Sequence, residues 1–188
     1  IVHRKDEEIS KELKKLVEPF ILRRTKKEVL KELPEKIETL YQIDFSDEEW
    51  KLYVANLAKI NKELAKQLNL DQFDRFQVLA MLTRLRQICC DPNLVFENYP
   101  EQGSKMEACV ELIETIASSG KKMLLFSSFT SVLDSLREKL NKKGIASYTI
   151  QGSTAKEERA RLVERFQMDD TPVFLISLRA GGTGLNLT

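Results

Sequence analysis

From Gly103 onward, short apolar runs alternate with amphipathic helical patterns, and that alternation leaves few folds open. Met123–Phe126, Ile145–Ile150 and Val173–Ile176 are runs bounded by turn signals, as buried strands are. A helical pattern from Ser104 through Val110, Ile113 and Ala117 precedes the first of them. Val132, Leu133, Leu136 and Leu140 follow helical spacing up to Gly144, and Leu162, Val163 and Phe166 follow it after Thr154-Ala-Lys-Glu157, which reads as a cap. Strands joined through helices give a parallel sheet covered by those helices. The functional loops of such sheets leave the carboxyl ends of the strands. Ser127–Thr130, Gln151–Thr154 and Ser177–Gly184 are therefore expected on one edge. Each offers glycines or small hydroxyl residues near a helix start, where free N–H groups favour anions. The same residues serve equally as helix caps.

The first half is mostly helical. Ile9, Leu13, Leu16, Val17 and Phe20 share one helical face, which Pro19 ends or restarts. Thr25-Lys-Lys-Glu28 reads as a capping box for a short helix that stops before Pro34. Ile37, Thr39, Tyr41, Ile43 and Phe45 then alternate with polar residues, which predicts a strand over 36–45. Ser46-Asp-Glu-Glu49 is a second capping box, opening a helix with Trp50, Tyr53, Leu57, Ile60 and Leu64 on one face. A further helix through Phe73, Phe76, Leu79, Leu82, Leu85 and Ile88 ends near Asp91-Pro92. The two form an expected antiparallel hairpin, projecting from the domain or packed across it.

Composition excludes several classes. Charged residues are 31% of the 188 and nearly balanced, with a net charge of +1, so any nucleic-acid binding must rest on a local surface. The longest apolar run, Val78–Leu82, is far below the roughly 18–20 residues that span a bilayer, so no membrane partner is expected. Ile1–Asp6 is mixed polar with no apolar stretch behind it, which is no secretory signal. Cys89, Cys90 and Cys109 form no C-x-x-C pair and His3 is the single histidine, so no metal site is expected. They read as reduced thiols of an intracellular protein, cytoplasmic or nuclear.

Six segments in order carry a resemblance. They are Leu22-Arg-Arg-Thr-Lys26 with Leu33-Pro34, Leu85-Arg-Gln-Ile-Cys-Cys-Asp-Pro92, Gly103-Ser-Lys105, Leu124-Leu-Phe-Ser-Ser-Phe129, Gly152-Ser-Thr154 with Arg159 and Phe166, and the closing Val173–Thr188. Together they resemble the second RecA-like lobe of Swi/Snf-family ATPases, in helicase superfamily two. The implied fold class is α/β: a RecA-like parallel sheet flanked by helices, incomplete at its C-terminus, with an α-helical protrusion inserted in the N-terminal half. The implied domains are a helical lead-in over 1–35, the strand over 36–45, the protrusion over 46–100 and the C-terminal lobe over 101–188.

The resemblance also implies roles. Ser127, Gly152, Ser153, Thr154 and Arg179 are the expected contacts to the backbone of double-stranded DNA, read without regard to sequence. Gly182, Gly184 and Asn186 are expected at the nucleotide cleft, and Arg23 and Arg24 at the junction with the other RecA-like lobe. Arg159 either braces its own helix or touches DNA. The complete enzyme would use ATP and Mg. This segment has neither a G-x-x-x-x-G-K-[ST] pattern nor an acidic Walker B-type motif, and it stops before the expected arginines of motif VI. It is therefore expected to be inactive alone, with no catalytic residue of its own and no tightly bound cofactor. The alternative from another class is a non-catalytic interaction module that presents the 46–90 helices. A free-standing nucleotide-binding domain fits less well, because the closing loop lacks G-x-G-x-x-G spacing.

Overall fold

The computed structural model describes residues 2–21, 37–69 and 74–181. The chain divides into two compact units, Ile1–Tyr41 and Gln42–Thr188. In the first, helix α1 (Val2–Val17) gives way to a 3₁₀ turn over Glu18–Phe20 with Pro19 in its opening positions. Proline has no N–H to continue the α-helical ladder, so the change of helix type falls where the sequence puts it.

In the second unit α2 (Asp47–Asn69) and α3 (Arg75–Ile88) pack against each other as the expected hairpin. Ser46 and Glu49 form the expected capping box: the Ser46 hydroxyl accepts the Glu49 N–H at 3.2 Å, and the Glu49 carboxylate accepts the Ser46 N–H at 2.9 Å. Asp74 caps α3 by accepting the N–H groups of Phe76 and Gln77 at 2.9 and 3.2 Å.

The strand expected over 36–45 is a correction: residues 37–46 carry no strand. Alternation survives locally, with Ile43 and Phe45 half-buried around exposed Asp44. Period two sets which side chains face inward, but a strand also needs a neighbour with which to exchange hydrogen bonds. No described strand pairs with this segment. Phe45 instead sits 6.4 Å from Trp50 and 5.6 Å from Tyr53, ring centre to ring centre. It precedes the capping serine and packs on the first turn, a hydrophobic staple that fixes the chain's entry into α2.

The remainder alternates as expected: α4 (Ser104–Ser118), β1 (Met123–Ser127), α5 (Thr130–Lys142), β2 (Ser147–Ile150), α6 (Lys156–Met168), β3 (Val173–Ser177) and a one-turn α7 (Leu178–Gly181). The described strands form a parallel sheet in the order β1-β3-β2, with Ser127 level with Ser177 and Ile150 level with Ile176. All five β3 residues are buried, as a central strand covered on both faces requires. On one face Val173 and Leu175 meet Ile113, Leu133, Leu136 and Leu140. On the other Phe174 and Ile176 meet Ile150 and Phe166. Gly120 and Gly144, at φ +68° and +72°, close α4 and α5 in the left-handed conformation that glycine adopts freely.

Candidate nucleic-acid interface

Because the strands are parallel and end in register, the loops after β1, β2 and β3 leave one edge of the sheet. Their side chains divide into those that hold the loops and those left for a ligand. Ser127 belongs to the first group: its Oγ accepts the Phe129 N–H and donates to the Phe129 carbonyl, both at 3.1 Å. Ser177 is buried and accepts the Ala180 N–H at 3.3 Å, so it helps turn the chain from β3 into α7. Thr154 was expected to cap α6. Its Oγ1 instead accepts the Gln151 N–H at 3.0 Å, while its own N–H returns to the Gln151 carbonyl at 3.1 Å. The α6 cap position falls to Ala155, which has no capping side chain.

Gly152, Ser153 and Arg179 are exposed. Neither the Gly152 nor the Ser153 N–H has an acceptor among the described residues. Arg179 likewise has no carboxylate partner among them. It stands on the α7 turn, so 178–181 is helical where an open loop was expected. Of the two roles open to Arg159, the described residues show a brace, made to backbone carbonyls and not to a carboxylate. Its guanidinium donates to the carbonyls of Thr154, Gln151 and Gly152 at 2.9, 3.3 and 3.2 Å.

The sequence reading missed Ser128, whose exposed side chain follows Ser127 at the tip of the β1 loop, and Gln151, whose Nε2 donates to Asp134 at 2.9 Å. It also missed two cations. Arg86 lies 5.4 Å from the centre of the Phe129 ring. With Lys105 it lines a cavity of about 450 Å³ shared by Ser127, Ser128 and all three cysteines. Burial pushes the Cys89, Cys90 and Cys109 thiols up, against the opposing charge of Lys105, so they stay protonated at neutral pH. No linear spacing announced this cluster, because α3, α4 and the β1 loop converge only in the fold.

Arg23, Arg24, Gly182, Gly184 and Asn186 lie outside the described residues. The described residues hold no group of three or more His, Cys, Asp or Glu side chains arranged for a metal ion. What the described part of this edge offers is backbone N–H groups, hydroxyls and a guanidinium without a described carboxylate partner, donors of the kind that suit an anion. No described helix is long and apolar enough to cross a membrane.

Comparison with known proteins agrees with this geometry. Residues 2–94 match a family described as the SNF2-related domain, and residues 104–188 match the helicase conserved C-terminal domain. A putative ATP-dependent helicase/translocase of Bacillus subtilis is 35% identical over 98% of this chain and 21% of its own length. The chain spans 16%, 18% and 21% of the length of three curated bacterial relatives that it matches. The C-terminal domain of the Sulfolobus solfataricus SWI2/SNF2 ATPase superposes with a TM-score of 0.68 at 25% identity, covering 81% of this chain and 68% of that one. The core of that ATPase in complex with double-stranded DNA gives 0.65 at 26% identity, covering 89% and 36%. Two family matches in order across nearly the whole chain, on a sheet of the same fold, make this chain a member of the Swi/Snf family of superfamily-two helicase-like ATPases, carrying its C-terminal lobe.

Proposed function

We propose that this segment is the C-terminal motor lobe of an ATP-dependent translocase acting on double-stranded DNA, gripping the DNA backbone and completing the ATP site between two RecA-like lobes. The observation that carries the reading is the set of three strand-end loops on one edge, with the Gly152 and Ser153 N–H groups and Arg179 lacking partners among the described residues. The similarity to a Swi/Snf core solved with duplex DNA supports it. Donors of this kind hold phosphates without reading bases, so affinity depends on salt and not on sequence. Gly152, Ser153 and Arg179 make the direct contacts, while Ser127 and Thr154 shape their loops through the bonds described above.

Gly182, Gly184 and Asn186 border the nucleotide cleft, and Arg23 and Arg24 the interlobe junction. ATP with Mg, when bound between the lobes, supplies the hydrolysis that drives their closure and reopening. The segment alone is inactive, because it lacks a Walker A pattern and a magnesium-binding acidic motif. The protein works in the cytoplasm or nucleus, where duplex DNA is found. A second reading, an interaction module on the helical protrusion, is favoured by Phe76, Leu79 and Leu82, which stand exposed on α3.

The test uses the complete protein with random-sequence duplex DNA. Binding that weakens steeply with salt, together with DNA-stimulated ATP hydrolysis, is the expected result. No binding at low salt and no stimulation by DNA would remove the motor reading and leave the interaction module.

A further inference from the structure

The loop between β2 and α6 has one feature that capping does not account for. The half-buried Arg159, on the second turn of α6, reaches back and donates to three loop carbonyls: Thr154 through Nε, and Gln151 and Gly152 through Nη2. A guanidinium is a planar fork of donors and cannot accept, so it pairs with acceptors such as these carbonyl oxygens. The Gln151 N–H is taken by the Thr154 hydroxyl and the Thr154 N–H by the Gln151 carbonyl. Gln151 is held from the side by Asp134. The Gly152 and Ser153 N–H groups are then the loop's unpaired donors, on exposed residues.

We infer that Arg159 is a positioning residue: it draws the loop carbonyls onto its guanidinium and so leaves the Gly152 and Ser153 N–H groups to hold a phosphate of the DNA backbone. This rests on the DNA-binding reading above and deepens it. Without the guanidinium, the Gly152 carbonyl would be free to rotate toward the ligand and repel it, while the Gln151 carbonyl would keep only the Thr154 N–H. Nearby carboxylates make the device necessary. Glu157 and Glu158 occupy the first turn of α6, and Glu158 is only loosely engaged by Arg161 at 3.9 Å. The helix terminus alone is therefore a poor anion site, and the loop N–H groups must supply the attraction. Arg159 positions those groups without touching the phosphate.

Two measurements test this. In the first, the complete protein, Arg159→Met and Arg159→Lys bind random-sequence duplex DNA across a potassium chloride series. A positioning role weakens binding roughly tenfold in both variants, since lysine keeps the charge but cannot span three carbonyls. The slope of log affinity against log salt stays that of the wild type, because no phosphate contact made by residue 159 is lost. A direct contact would lower the slope by about 0.9 in Arg159→Met and be restored by lysine, and that result overturns the proposal. In the second, inorganic phosphate is titrated while amide NMR signals are followed. The Gly152 and Ser153 signals should move in the wild type and not in Arg159→Met, with the Phe166 and Ile176 signals unchanged as the check on folding. Equal response in both proteins, or none in the wild type, overturns it. Phosphate-responsive amides in a protein that fails to bind DNA would reject the DNA reading while leaving the Arg159 role intact.

Discussion

The buried carboxylate of Glu49 accepts the Ser104 N–H at 2.9 Å, joining the first turn of α2 to the first turn of α4 across 55 positions of sequence. The Ser104 hydroxyl donates to the same carboxylate. The residue at the α4 cap position is Gly103, which has no side chain to offer. Glu49 thus completes its own capping box with Ser46 and also satisfies the start of a distant helix. Glu49→Ala is expected to destabilise the protein by about 2–4 kcal/mol, because it leaves the half-buried N–H groups of Ser46 and Ser104, at both helix starts, unpaired. Ser46→Ala, which removes a single cap, should lose about 1 kcal/mol. Urea unfolding monitored at Trp50 measures both; equal losses would mean that the link to Ser104 contributes nothing.

Gly103 is constrained by space and not by backbone angle, since its φ is −63°. A Cβ there would come within 2.8 Å of the Pro92 Cδ and 3.1 Å of the Asp91 Cα. Neither neighbour is the free end of a flexible side chain, so Gly103→Ala must shift the turn after α3. The expected cost is about 1–3 kcal/mol, the range for overpacking. A melting temperature equal to wild type would show that the Asp91-Pro92 turn yields freely.

Tyr148 and Asp169 make a pH-dependent link between β2 and the end of α6. The Tyr148 hydroxyl donates to the Asp169 carboxylate at 2.5 Å and, with the Thr171 N–H at 3.0 Å, holds that carboxyl below its ordinary value of 3.8. A carboxyl lowered in the folded state contributes stability above its unfolded value and loses it as pH falls through the folded one. Tyr148→Phe should raise the Asp169 titration midpoint toward 3.8. Its stability deficit relative to wild type should be largest at neutral pH and shrink as acid protonates Asp169. Carbon-detected NMR titration of Asp169 decides it, and an unmoved midpoint would assign the lowering to Thr171.

The parts of this molecule that were legible in the sequence are those governed by local chemistry. The Ser46–Glu49 box, the stop at Pro19, the glycine at 144 and the apolar runs that become β1, β2 and β3 are all set by residues within a turn or two of each other. The strand over 36–45 failed because pairing is a property of two segments, and Phe45 found its partners in Trp50 and Tyr53 instead. The candidate site was legible at the level of loops and not of atoms. Ser127 and Thr154 carry the hydroxyls a phosphate would favour, yet both bond their own backbone. Arg159 carries a charge that suits DNA, yet it faces three carbonyls. Which polar groups are spent internally depends on loop conformation, and spacing does not encode that.

Arg179 is an exposed cation with no carboxylate partner among the described residues. It stands on α7, one residue before buried Ala180 and two after buried Ser177, so its backbone is anchored while its guanidinium stays in solvent. On the proposed DNA reading, a guanidinium so placed makes a single phosphate contact. Arg179→Ala should lower the slope of log affinity against log salt by about 0.9 and weaken binding alike for duplexes of any sequence. Arg179→Lys should keep the slope, since a phosphate contact needs the charge more than the fork. An unchanged slope in the alanine variant would take Arg179 off the DNA surface, and the outward face of α7 would then need another explanation for its charge.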